Sequence, residues 1–197
     1  MIRPRDRARR RSRQDGRTTS EAASRFRLHA SPIGDILIVT TADGIVALHP
    51  VHDAVDAELQ RIARALGSVP EHDETDAAAD AAASQLDEYF DGDRREFDLP
   101  LDWRLVRGFT RAALEAVRDI PYAETAGYGE VAILAGSPRA ARAVGTACAT
   151  TPFSIIVPVH RVVRSDGSLG EYGGHPEVKQ YLVDLERAAV AQQAADE

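Results

Sequence analysis

Residues 155–163 read Ile155-Ile156-Val157-Pro158-Val159-His160-Arg161-Val162-Val163. The three leading apolar residues suit a buried strand, and Pro158, which has no amide hydrogen to give to a ladder, closes it. A histidine and an arginine then follow inside an otherwise apolar stretch. Immediately upstream, two short helices are expected at Tyr128–Ala135 and Arg139–Thr150, separated by Gly136-Ser137-Pro138. Ser137 suits an N-cap and Pro138 the first helical position. Two short helices joined by a tight glycine-containing turn have the pattern of a helix-turn-helix. The second of them carries Ala140, Ala141, Ala143, Gly145, Ala147 and Ala149, so it has little bulk on any side. Such a helix serves either close packing in a core or approach to a nucleic-acid backbone, with Arg142 as its one long probe.

Further upstream the pattern changes. Ser31-Pro32-Ile33-Gly34 is a turn, Ile36 to Thr40 a β-branched run, and Ala42-Asp43-Gly44 a second turn before Ile45-Val46-Ala47-Leu48, which together read as a hairpin. Helical spacing follows from Val55 to Leu66, with Leu59, Ile62, Ala63 and Leu66 on one face and Gly67 as terminator. Residues 68–76 read as a loop, and Asp76 to Phe90 as an Ala-rich helix packed through Leu86, Tyr89 and Phe90 and stopped by Asp91-Gly92. A helix near Phe109–Ile120 opens the second half, and Pro121 breaks it. The expected class is therefore α/β, a small N-terminal α/β domain at 25–103 followed by a mainly helical C-terminal domain with a helix-turn-helix at 104–187. A basic arm at 1–24 and a flexible tail at 188–197 complete the division.

Charge follows the same division. The chain of 197 residues has a net charge of −7, but residues 1–17 hold eight Arg against two Asp, and residues 28–103 hold four Arg against seventeen acids, a net −13. Residues 104–187 come to about +1, so a polyanion meets the arm or the second half rather than the first. The arm is either a solvated disordered segment or a source of nonspecific phosphate attraction. On this distribution Arg139, Arg142, Arg161 and Arg164 are the cations that would meet a polyanion in the second half. The single cysteine, Cys148, excludes an internal disulfide and a cysteine-rich zinc site, and the six histidines show no helical pairing, so no metal and no cofactor are expected. No apolar run is long enough for a bilayer and no secretory leader is apparent, which predicts a soluble, cytoplasmic protein with no membrane partner.

Pro158-Val159-His160-Arg161-Val162 is similar to the Pro-Cys-His-Arg-Val motif of the O-6-alkylguanine-DNA alkyltransferases, with valine in the cysteine's place. Ile120-Pro121-Tyr122, Tyr128-Gly129-Glu130-Val131, Ala140 to Gly145, Gly170-Glu171-Tyr172-Gly173-Gly174 and Lys179 through Glu186 follow the family's order and spacing. Ser31-Pro32-Ile33-Gly34 and Leu86 through Gly92 resemble its N-terminal domain, so the likeness spans about residues 26–187.

The resemblance implies roles for these residues. In the family a flipped base gives its alkyl group irreversibly to a cysteine thiolate. Arg142 matches the finger that fills the gap left by the base, with an unstacking cost of about a few kcal/mol to offset. Tyr128 matches the tyrosine beside the flipped nucleotide's phosphate, and Ala140, Ala143 and Gly145 belong to the same DNA-binding helix. Pro158, Tyr172, Gly173 and Gly174, with Cys148 on the nearby wall, correspond to the base pocket. His160 and Glu186 match the relay that draws the proton from the cysteine. Val159 occupies the nucleophile position and has neither lone pair nor ionisable proton, so transfer to it is chemically impossible. Thr151 stands where the family has an asparagine that braces the loop, and it supplies a hydroxyl instead of an amide.

The expected function is thus that of the alkyltransferase-like proteins: a monomer that binds double-stranded DNA containing O-6-alkylguanine, flips the base without reacting, and marks it for downstream repair proteins, nucleoid-associated when bound. Two departures stand beside it, since those proteins usually carry tryptophan or alanine at this position and most lack the N-terminal domain. The alternatives are a methyltransferase acting through Cys148, one inactivated by an introduced change at Val159, and a scaffold that no longer binds lesions.

Overall fold

The computed structural model describes residues 23–52 and 54–196. The expected basic arm lies outside the described residues except for its last two positions.

Strands β1 (Arg25–His29), β2 (Ile36–Thr41) and β3 (Gly44–Pro50) form an antiparallel meander, and a short β4 (Glu71–His72) adds in parallel to β1, giving the order β3-β2-β1-β4. Period-two alternation divides β2 between two layers. Ile36 and Ile38 pack towards α2 (Ala77–Phe90) through Ala79, Ala82, Ala83 and Leu86, whereas Leu37 and Val39 face Ile62 of α1 (Val55–Leu66). The hairpin turn depends on Gly44, at φ +126°, where an added Cβ would lie 2.2 Å from the carbonyl oxygen of Pro100. That oxygen accepts from the Ile45 amide at 2.8 Å and ties the linker between the two halves to the sheet.

The helical half contains α3 (Gly108–Arg118), α4 (Tyr128–Leu134), α5 (Ala141–Ala149) and α6 (Pro176–Asp196), with a minimal parallel pair of β5 (Ala126–Gly127) and β6 (Val162–Val163). Its core joins Leu114 and Val117 of α3 to Val131 of α4, Val144 and Ala147 of α5, and Val159 and Val162. The two halves share apolar packing, because Ile155, Ile156, Val178 and Leu182 belong to the same buried cluster as Ile38, Leu86 and Tyr89.

Several expectations change. The loop read at 68–76 contains β4, and β1 had no strong sequence signal. Helix α5 begins at Ala141 with Ala140 as N-cap and no side-chain cap, so Ser137 serves the preceding turn, its carbonyl accepting from the Ala140 amide at 2.9 Å. The expected tail at 188–197 is helical as far as Asp196. The run Ile155-Ile156-Val157 is not a strand. Ile155 has φ +74° and the Ile156 amide donates to the Ser154 carbonyl at 3.0 Å, a γ-turn of the rare, strained hand. Apolar content was legible there, but its backbone path was not. No helix among the described residues is long and apolar enough to cross a membrane.

Candidate functional site

The strained turn delivers residues 159–161 as one turn of 3-10 helix with all three side chains buried. Val159 is 3% exposed. Beside it His160 is fully buried, and its Nε2 lies 2.8 Å from Oε1 of Glu186. A carboxylate only accepts, so Nε2 carries the hydrogen and donates. Burial lowers the pKa of His160, against the opposing pull of Glu186, so the ring is neutral at neutral pH. In that tautomer Nδ1 is a lone-pair acceptor, and it is buried without a hydrogen-bond partner among the described residues.

Glu186 collects donors from four directions. The Tyr89 hydroxyl donates at 2.8 Å and the Ala123 amide at 3.0 Å, while Arg161 clamps both oxygens through Nε at 3.0 Å and Nη2 at 2.9 Å. Burial alone raises this carboxyl, but His160 and Arg161 outweigh it and hold the pKa at about 2. Helix periodicity brings Glu186 here: Val178, Lys179, Leu182, Val183 and Glu186 form the buried stripe of α6. Lys179, the only lysine in the chain, donates from Nζ to the Val162 carbonyl at 2.6 Å, and burial lowers its pKa to about 8.

Arg161 therefore corrects the surface assignment made from sequence. It is 6% exposed and tied to Glu186 and to the Ile120 carbonyl, so it has no place on an outer face. Tyr89 and Lys179 were not identified as site residues from sequence, and Arg161 was placed only on the outer, nucleic-acid face. For Lys179 and Arg161 a signal existed, a charged residue on an otherwise apolar stripe or stretch; for Tyr89 there was only its aromatic character.

Two cavities flank Val159. One, of about 230 Å³, is lined by Tyr128, Gly145, Cys148, Arg164, Glu171 and Tyr172 among others. The second, of about 380 Å³, shares Cys148, Ala149, Val159, Tyr172 and Gly173 with the first and reaches His49, His52, Glu58 and Arg61 of the N-terminal half. Gly145 lies against the Tyr128 ring, where a Cβ would be 3.8 Å from Cε1. Gly173 and Gly174 have φ +58° and +87° with open space around them, so their backbone conformation, rather than crowding, favours glycine.

Cys148 is half-buried on α5, and burial pushes its thiol up to about 12, with Lys179 opposing. Thr151 accepts the Phe153 amide on its hydroxyl at 3.1 Å, bracing the start of the turn that carries Val159. Pro158 is buried and belongs to the wall of a separate cleft with Arg95, Arg118 and Tyr122. It is absent from the linings of both cavities beside Val159.

On the outer side of α5, Arg142, Ala143 and Thr146 are exposed, while Val144 and Ala147 enter the core. The Ala-rich helix thus packs closely in the core through one face and leaves the other exposed. The Arg142 guanidinium makes no hydrogen bond or ion pair to any described residue. Arg139 and Arg164 are also exposed, the latter at the rim of the smaller cavity. Ala140 stands half-buried at the helix start. Among the described residues no cluster of His, Cys, Asp and Glu has metal-binding geometry.

Comparison with known proteins matches residues 25–103 to the ribonuclease-like domain of 6-O-methylguanine DNA methyltransferase and residues 108–188 to the DNA binding domain of the same family. The methylated-DNA--protein-cysteine methyltransferase of Mycolicibacterium paratuberculosis is 48% identical over 106 residues, 54% of this chain and 64% of that relative, so this alignment spans less than two thirds of the relative's length. That of Mycobacterium leprae is 38% identical over 160 residues, 81% of this chain and 90% of its own. The crystal structure of Mycobacterium tuberculosis OGT in complex with DNA superposes with a TM-score of 0.70 at 35% identity, covering 84% of this chain and 94% of that one. Matched in both domains and over nearly the full length of these last two relatives, the chain belongs to the 6-O-methylguanine DNA methyltransferase family.

Proposed function

We propose that the protein binds O-6-alkylguanine in duplex DNA, draws the base from the stack into the cavity between Tyr128 and Tyr172, and leaves the alkyl group in place. The observation that carries this reading is the buried Val159 at the junction of both cavities, beside a His160–Glu186 pair. Alkyl transfer needs an electron pair aimed at the alkyl carbon. A valine methyl offers none, where the resemblance implies a cysteine. His160 Nδ1 faces no proton donor among the described residues, so the neutral imidazole has nothing to activate.

Binding rests on other residues. Extrusion of a base costs about a few kcal/mol, and an exposed guanidinium on a helix of small side chains is suited to occupy the gap. Arg142 fills this role, with Ala143 and Gly145 keeping the helix surface low enough for a groove wall. Tyr128 stands at the cavity mouth, and Arg139 and Arg164 supply phosphate contacts. With only Arg139, Arg142 and Arg164 assigned to that face, the fall of affinity with salt is shallow and specificity comes mainly from the flipped base.

Fluorescence anisotropy with matched duplexes tests the reading. A duplex containing O-6-methylguanine is expected to bind at least tenfold more tightly than the same duplex with guanine, and Arg142→Ala to remove most of that difference. Equal affinity for the two duplexes contradicts it.

A second reading is favoured by one observation: Cys148 lines both cavities together with Val159. Transfer there would form an Sγ–carbon bond, break the O-6–carbon bond and require prior loss of the thiol proton. A thiol held near 12 stays protonated at neutral pH, which favours the binding reading.

A further inference from the structure

The larger cavity extends beyond the residues it shares with the smaller one, Cys148, Ala149, Val159, Tyr172 and Gly173. Its volume of about 380 Å³ lies within the range of small-molecule sites, roughly 300–1,000 Å³, and its far wall comes from the N-terminal half of the chain. An O-6-methyl group placed at Val159 would leave this space unused. A longer substituent extending past Val159 and beneath Tyr172 would enter it.

The chemistry of the far wall is asymmetric. Glu58 and Arg61 form an ion pair, with Arg61 Nε at 2.8 Å from one carboxylate oxygen and Nη2 at 2.5 Å from the other. His49 Nε2 also lies 2.9 Å from Oε1 of Glu58. Three contacts therefore engage this carboxylate, and although burial raises its pKa, Arg61 and His49 together hold it at about 2. Arg61 keeps the hydrogens of Nη1 and the second hydrogen of Nη2, and its side chain is 56% exposed. On this wall the Glu58 carboxylate is already engaged, while guanidinium hydrogens of Arg61 remain. The hydroxyls of Thr150, Thr151 and Ser154 line the same space.

The roof is held to this wall. The rings of His52 and His175 stack with centroids 3.7 Å apart, and His175 Nδ1 lies 3.0 Å from Glu177. The stack fastens the Gly173–Gly174–His175 loop, one edge of the base cavity, to the N-terminal half.

We propose that this cavity is an annex for the distal end of extended O-6 substituents, and that Arg61 makes it select those ending in a carboxylate. The inference rests on the lesion-binding reading and specifies which lesions the site prefers. A carboxylate matches the remaining N–H edge of a guanidinium in planar, charge-assisted geometry, whereas an isosteric amide offers it a single neutral oxygen and a weaker, uncharged hydrogen bond. Because Arg61 is partly in solvent, the preference is moderate.

Four duplexes separate the outcomes: guanine, O-6-methylguanine, O-6-(3-carboxypropyl)guanine and O-6-(3-carbamoylpropyl)guanine, each titrated by anisotropy with the full chain and with Arg61→Gln. The carboxylate is expected to bind at least fivefold more tightly than the amide. Arg61→Gln should reduce that ratio to about one and leave the methyl-over-guanine preference unchanged. A carboxylate-to-amide ratio near one in the unaltered protein, with the methyl preference intact, overturns the annex alone. A ratio that survives Arg61→Gln overturns the role of Arg61. Equal affinity for all four duplexes overturns both the annex and lesion binding.

Discussion

At the scale of single residues, Glu186 organises the buried centre. It accepts from Tyr89, Ala123, His160 and Arg161, so its removal leaves a buried guanidinium and imidazole without their acceptor. Breaking a buried pair from one side costs about 3–5 kcal/mol, and Glu186→Gln should lower stability by an amount of this order in urea titrations. Its pH dependence has a defined sign. The folded carboxyl at about 2 lies below its ordinary value of 4.5, so its stabilisation is complete above about pH 4.5 and is lost as pH falls towards about 2. The stability gap between the unaltered chain and Glu186→Gln should therefore be widest near neutrality and narrow below pH 4.5; a gap independent of pH contradicts the assignment. Tyr89→Phe removes one donor and leaves no uncompensated charge, so a loss of about 1.5–3 kcal/mol is expected.

The chemical centre makes a further residue-scale prediction. With its thiol near 12, Cys148 should react with iodoacetamide at pH 7.5 far more slowly than a free cysteine, as followed by mass. Val159→Cys places a thiol beside the neutral His160. If the pocket and relay are sound, this variant should gain one methyl from an O-6-methylguanine duplex. Continued inactivity would direct attention to Thr151, whose hydroxyl accepts one amide where an asparagine side chain both donates and accepts.

Elements show how far the sequence carried. The β-branched run at Ile36–Thr41, the apolar run at Gly44–Pro50 between its turn signals and the apolar spacing of Val55–Leu66 were readable because composition, turn residues and helical period agree locally. The hairpin also supplies a test: Gly44→Ala forces a Cβ to 2.2 Å from the Pro100 oxygen at a φ that L-residues avoid. A loss of about 2–4 kcal/mol is expected in thermal or urea unfolding. A change below about 0.5 kcal/mol would contradict the packing of the linker there. Less regular pieces were not readable. Ile155-Ile156-Val157 has the composition of a strand, but tertiary packing winds it into a strained turn. The two-residue β4 is too short for any period to register. Residues 188–196 lack an apolar stripe comparable to Val178–Glu186, so their helical state follows from continuation of α6 rather than from a pattern of their own.

Across the whole molecule, the two halves meet at the site instead of merely sitting in series. Tyr89 crosses from α2 to Glu186, and the wall containing Glu58 and Arg61 closes the larger cavity opposite Val159. His160, Glu186, Tyr128 and Arg142 were singled out through likeness to the family, and of these His160 and Glu186 are in direct contact. Contacts over 97 residues, as between Tyr89 and Glu186, have no local sequence signal. Charge was only partly informative: Arg161 counts as one of the cations of the second half, but it is consumed internally, whereas Arg139, Arg142 and Arg164 are exposed.

The separation of lesion recognition from alkyl transfer is tested most directly by mass spectrometry of the protein after incubation with an O-6-methylguanine duplex, recorded first under native and then under denaturing conditions. The account predicts a noncovalent complex with the lesion duplex, in excess over the guanine duplex, that dissociates to protein of unchanged mass. A stoichiometric gain of one methyl group on the protein, on Cys148 or elsewhere, would contradict it.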